Sequence, residues 1–180
     1  MRKNFGPKPF LYPQPVMVIA SCGEDGTPDA MNAAWGGIAG GDKIFLCLSS
    51  NHKTVENILE RKAFTVSVAD EAHLVEADYV GLVSGNDVPD KLERSGFHLT
   101  RSEFVDAPVI DELPLVLECR LVSYDPDSHF MLGQIVNAGA NEAILDEAGR
   151  IDPAKLRPIT FDPANRAYWG LGQKVGNAFA

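Results

Sequence analysis

Apolar residues fall into short runs of strand length, separated by breaks rich in Gly, Pro and Asp. Residues 16–22 form the first run. The segment 23–28 reads as a turn, and 29–35 can return as a second strand. Residues 36–42 carry Gly36-Gly37 and Gly40-Gly41, which predicts a break where the backbone can approach a neighbour closely. A strand at 44–48 follows and ends abruptly in Ser49, Ser50, Asn51, His52, Lys53 and Thr54. A helix begins at once, with Val55, Ile58 and Leu59 on one face and Thr54 available as its N-cap.

Further along, residues 63–69 alternate with period two and predict a half-buried strand: Phe64, Val66 and Val68 point one way, Thr65 and Ser67 the other. A helix is expected over 71–80, stopped by Gly81, then a loop at 83–87 and a short helix at 91–95 closed by Gly96. Residues 98–114 read as irregular. The segment 115–124 is a strand with Leu115, Leu117, Cys119 and Leu121 on one face, turning at 125–128 into a hairpin partner at 130–138. Residues 144–151 are turn-rich, and 156–161 is expected as the last strand. Residues 1–15 hold four prolines and read as an extended lead-in. Strands outnumber helices and are joined as hairpins. This predicts one mainly β domain over 1–180, an antiparallel barrel or sandwich with a few helical insertions. A barrel leaves few open edges.

Charge narrows the partners. A net charge of −9 argues against nucleic acid, whose phosphates require a basic surface. No apolar run is long enough to span a membrane, and no apolar core follows the basic N-terminus, so no signal peptide is expected. Cys22, Cys47 and Cys119 are far apart and unpaired in pattern, each in or beside an apolar run. A reduced, cytoplasmic setting follows. The four histidines lack ligand spacing, so no metal site is expected.

The chemistry concentrates at 49–54. A buried strand delivers hydroxyls, a cation and free N–H groups to a helix N-terminus, which describes an anion site, most often for phosphate. The same residues also fit an ordinary capped helix with a solvated Lys53. Elsewhere there is no dinucleotide fingerprint, phosphate-binding P-loop or nucleophile elbow. Ser49 and His52 lack a positioned carboxylate. Asp111 and Glu112 are adjacent and read as solvated loop. No acid, base or nucleophile constellation is present, so no catalytic residue is assigned. An enzyme of this kind takes its chemistry from a cofactor.

Residues 16–21 (Val-Met-Val-Ile-Ala-Ser), 26–35 (Gly-Thr-Pro-Asp-Ala-Met-Asn-Ala-Ala-Trp) and 47–58 (Cys-Leu-Ser-Ser-Asn-His-Lys-Thr-Val-Glu-Asn-Ile) together resemble the flavin reductase-like family, and within it the flavoredoxin branch. Pro158-Ile159-Thr160-Phe161 and Tyr168-Trp169-Gly170-Leu171-Gly172 fit as well. The resemblance covers nearly the whole chain. It implies an FMN-binding Greek-key split barrel that forms a homodimer, with FMN at or near the dimer interface. By position, Asn32, Ala33, Ala34 and Trp35 would contact the isoalloxazine ring, largely through backbone. Cys47, Leu48, Ser49 and Ser50 would line the ring edge and ribityl chain. Ser49, His52, Lys53 and Thr54 would surround the phosphate, which favours the anion-site reading. Ser84, Gly85 and Asn86 are implied on the flavin's other side, and Tyr168 and Trp169 near the ring or packed on the barrel. Where flavin reductases carry an Arg or another polar set before the Thr, this chain has His52-Lys53. The implied activity is electron or hydride transfer between NADH or NADPH and FMN. The alternative is a non-enzymatic FMN carrier between redox protein partners, for which the acidic surface suits a basic partner.

Overall fold

The computed structural model describes residues 1–178. Its centre is a seven-stranded antiparallel sheet, curled into a split barrel, in the order β2-β1-β5-β8-β9-β4-β3. These strands are β1 (Met17–Cys22), β2 (Pro28–Ala33), β3 (Gly36–Ile38), β4 (Lys43–Cys47), β5 (Ala63–Val68), β8 (Leu115–Asp125) and β9 (Phe130–Ala140). Two small hairpins flank it: β6 (Leu99–Arg101) with β7 (Pro108–Ile110), and β10 (Ile159–Asp162) with β11 (Ala167–Gly170). The helices are α1 (Lys53–Arg61), α2 (Leu74–Leu82), α3 (Lys91–Ser95) and α4 (Pro153–Leu156).

The first run is apolar at nearly every position because β1 is buried on both faces. Met17 and Ile19 enter a core with Leu46, Val55, Ile58, Phe64 and Met131. Val18 and Ala20 point the other way, into a core with Ala77 and Val80 of α2 and with Ile110. One sheet thus carries two cores, one under α1 and one under α2.

Several local readings change here. β5 is covered on both faces, not one: Thr65 and Ser67 are fully buried, and the Thr65 hydroxyl donates to the Pro108 carbonyl at 2.6 Å. The cover is the β6–β7 hairpin, formed in the stretch read as irregular. Gly81 does not stop a helix but lies inside α2, where a Cβ would come within 2.7 Å of Asn32 Cβ. Gly36 and Gly37 belong to β3, not to a break; a Cβ on Gly36 would meet the Phe45 carbonyl at 2.7 Å, so the close approach is to β4. The tail, not 156–161, supplies the last strand, because β11 folds back on β10. Among the cysteines, Cys119 is buried and its thiol is pushed up to about 12 by that burial, whereas Cys47 is exposed.

Gly133 in β9 tests how tightly the first core is packed. A Cβ there would sit 2.4 Å from Phe64 Cζ and 3.3 Å from Ile44 Cγ2, both in rigid buried side chains. Gly133→Ala should therefore cost about 1–3 kcal/mol through overpacking. A denaturant midpoint equal to that of the parent protein would contradict this.

Candidate functional site

β2 and β4 end side by side, and the links that follow them open a pocket between the sheet, α2 and the β10–β11 hairpin. Its walls are Met31, Asn32, Ala33, Ala34, Trp35, Cys47, Leu48, His52, Gly81, Phe161 and Tyr168, around about 230 Å³. Four separate chain segments contribute. Their junctions are held by hydrogen bonds: Cys47 N–H donates to the Trp35 carbonyl at 2.8 Å, and Gln14 Nε2 donates to the Ala34 carbonyl at 2.7 Å. Gln14 is itself buried and bonded to Thr160 of β10. It thus ties the lead-in to the pocket wall.

The Asn32 side chain is engaged with the scaffold. Its Nδ2 donates to the Ala77 carbonyl of α2 at 3.0 Å and lies 3.4 Å from the Tyr168 hydroxyl. Tyr168 donates in turn to Asp78 at 2.7 Å. Burial, and then the Asp78 carboxylate, push the Tyr168 phenol up to about 12. Asn32 and Tyr168 are thereby fixed in orientation at the pocket wall.

At the pocket rim α1 begins. His52 occupies its N-cap position but gives no side-chain hydrogen bond to the helix. The first-turn N–H groups of Lys53 and Thr54 are therefore left to meet an acceptor from outside the helix. Low-dielectric surroundings and then Lys91 lower the His52 pKa, which favours neutral imidazole.

Thr54 is not the N-cap. Its side chain is fully buried and donates its hydroxyl to Asp29. Ser21 Oγ donates to its carbonyl at 3.1 Å. Only the backbone N–H of Thr54 remains for an anion. Lys53 turns away from the pocket, 3.5 Å from Glu56, and lines a separate cleft of about 710 Å³ with Asp25, Asp29, Asn57, Glu60 and Gly85.

The structure thus gathers Asn32, Ala33, Ala34, Trp35, Cys47, Leu48, His52 and Tyr168 in one pocket and leaves others out. Ser49 and Ser50 sit half-buried in the turn before α1, outside the pocket lining. Ser84 accepts from the Asn86 N–H, and Gly85 lies against Asp29 in the larger, acidic cleft. Trp169 is 62% exposed and alternates away from Tyr168 on β11. Sequence reasoning missed Gly81, Phe161, Gln14 and the buried pair Asp29–Lys91. A charged residue opening an otherwise uncharged predicted strand, as Asp29 does, was the one available signal.

The donor set fits a flavin phosphate: open N–H groups at a helix N-terminus beside an aromatic-walled pocket. Among the described residues, no His, Cys, Asp or Glu group has metal-site geometry, and no helix is long and apolar enough to cross a membrane.

Comparison with known proteins gives the family and the fold. The family model described as flavin reductase like domain matches residues 10–161. Flavoredoxin of Desulfovibrio vulgaris (Miyazaki F) is 32% identical, with a TM-score of 0.95 over 100% of this chain and 98% of that one. Flavoredoxin from Methanosarcina acetivorans is 28% identical, with a TM-score of 0.89 over 99% and 96%. An FMN-binding domain of a flavin reductases-like enzyme from Shewanella baltica OS155, 22% identical over 91% and 89% with a TM-score of 0.81, shares the fold.

Proposed function

The chain belongs to the flavin reductase like domain family, and on that premise we propose that it binds FMN and transfers electrons between NADH or NADPH and that flavin, as an oxidoreductase. The observation that carries the reading is the coincidence of the aromatic-walled pocket with the uncapped start of α1, His52 lining one and heading the other. When bound, FMN supplies the two-electron chemistry. The chain's own part is to hold and orient. Trp35, Leu48, Phe161 and Tyr168 offer ring contacts, Gln14 fixes the Ala34 carbonyl, and the Lys53 and Thr54 N–H groups receive the phosphate. No side chain is required to move a proton.

The experiment is anaerobic reduction of the FMN-loaded protein, followed at the flavin absorbance band. Bleaching by NADH or NADPH within seconds to minutes is expected. A second reading, an FMN carrier between redox proteins, is favoured by the acidic cleft around Asp25 and Glu60 and by the net charge of −9, which suit a basic partner. Bleaching by dithionite but by neither nucleotide would select it.

We further propose a homodimer. The pocket is smaller than the roughly 300–1,000 Å³ usual for ligands of this size. It also opens onto an apolar sheet face. There Trp35 is 42% and Phe130 48% exposed, and Phe130 stacks on Phe45 with ring centres 5.4 Å apart. A second copy covering this face would complete the flavin's surroundings. Light scattering of the flavin-bound protein at micromolar concentration should give twice the chain mass of 19.5 kDa; the single-chain mass would refute the proposal.

A further inference from the structure

A charge pair is buried directly beneath the start of α1. Lys91 Nζ lies 2.9 Å from Asp29 Oδ1, and the two side chains are 3% and 6% exposed. The other Asp29 oxygen accepts the Thr54 hydroxyl. The remaining Lys91 contacts are carbonyls at the end of α2, Val83 at 3.1 Å and Val80 at 3.5 Å. One chain of contacts therefore runs from the end of α2 through Lys91, Asp29 and Thr54 to the first turn of α1.

Neither residue lines the flavin pocket, and neither touches the proposed phosphate position. Yet Asp29 holds a full negative charge one hydrogen bond from Thr54, whose N–H belongs to the phosphate cradle. Alone it would repel a phosphate strongly, because it is shielded from water. Lys91, 2.9 Å away, offsets that charge.

We infer that Asp29 and Lys91 are positioning residues that set the preference of the site for a flavin bearing a 5′-phosphate. Asp29 anchors Thr54 so that the first-turn N–H groups face outward, and Lys91 cancels the field that the anchor would impose. The inference rests on the FMN reading above.

The two side chains make opposite predictions, which a purely structural role does not. Lys91→Met leaves Asp29 without its counter-charge and should lower the ratio of FMN to riboflavin affinity by about tenfold or more. Asp29→Asn keeps an acceptor for Thr54 and leaves the Lys91 charge in place, so the ratio should rise by a similar factor. Asp29→Asn combined with Lys91→Met removes both charges and should return the ratio to near the parent value.

The measurement is fluorescence titration of each apo-protein with FMN and with riboflavin at low salt, each variant first checked for the parent circular dichroism spectrum. Should Lys91→Met not fold, Asp29→Asn and the double variant still decide the sign. A ratio that falls in both single variants, or moves in neither, overturns the inference. Equal affinities in the parent protein would instead overturn the phosphate reading on which it depends.

Discussion

FMN should bind the apo-protein about a hundredfold to ten-thousandfold more tightly than riboflavin. The two ligands differ only in the phosphate, so the comparison isolates the start of α1. Two N–H groups, those of Lys53 and Thr54, point out of a helix whose N-cap residue gives them no acceptor. A hydrogen bond to a charged partner contributes roughly 1.5–3 kcal/mol, and each 1.4 kcal/mol is a factor of ten. The helix dipole adds to this in the same direction. The structure also redistributes the work expected of the side chains. Thr54 cannot give its hydroxyl, which is already donated to Asp29. Lys53 faces Glu56 and the acidic cleft, so it acts through space. Lys53→Ala should accordingly weaken FMN modestly and flatten the salt dependence of its binding. Fluorescence quenching titrations of both flavins check the main expectation, and equal affinity would mean that α1 is an ordinary helix start.

Breaking the Asp29–Lys91 pair should cost about 3–5 kcal/mol of folding stability when only Lys91 is replaced by Met. The reason is asymmetry. Both charges are almost fully withdrawn from water, and each has hydrogen bonds that satisfy the rest of its polar atoms. Removing the cation leaves a buried carboxylate without its counter-charge and strips two carbonyls at the end of α2 of a donor. Removing both charges together leaves no uncompensated ion, so Asp29→Asn with Lys91→Met should recover most of the loss. Urea unfolding of the parent, Lys91→Met and the double variant measures this. Equal stabilities for Lys91→Met and the parent protein would show that water reaches the pair.

The hairpins at 16–35 and 115–138 and the helix after Lys53 were legible because each follows from a local period. Alternation sets which strand residues share a face, and the Val55, Ile58 spacing sets the buried side of α1. The signature segments around Asn32–Trp35 and Cys47–Thr54 carried the family, and with it the split barrel.

The contents of the site were less legible. The sequence alone determined that Trp35 and Cys47 stand at or near the ends of strands and His52 at the start of a helix, where backbone sterics and one-sided burial decide position. Only the tertiary structure decided what each meets. Tyr168 reaches Asn32 across 136 positions because β11 folds back on β10. Thr54 turns inward because β2 carries Asp29 beneath it, and Lys91 arrives there from the short helix α3. Gly81 sits inside α2 because Asn32 leaves no room for a Cβ. Such pairings depend on strand order and register, which bring distant residues together. No period along the chain encodes them.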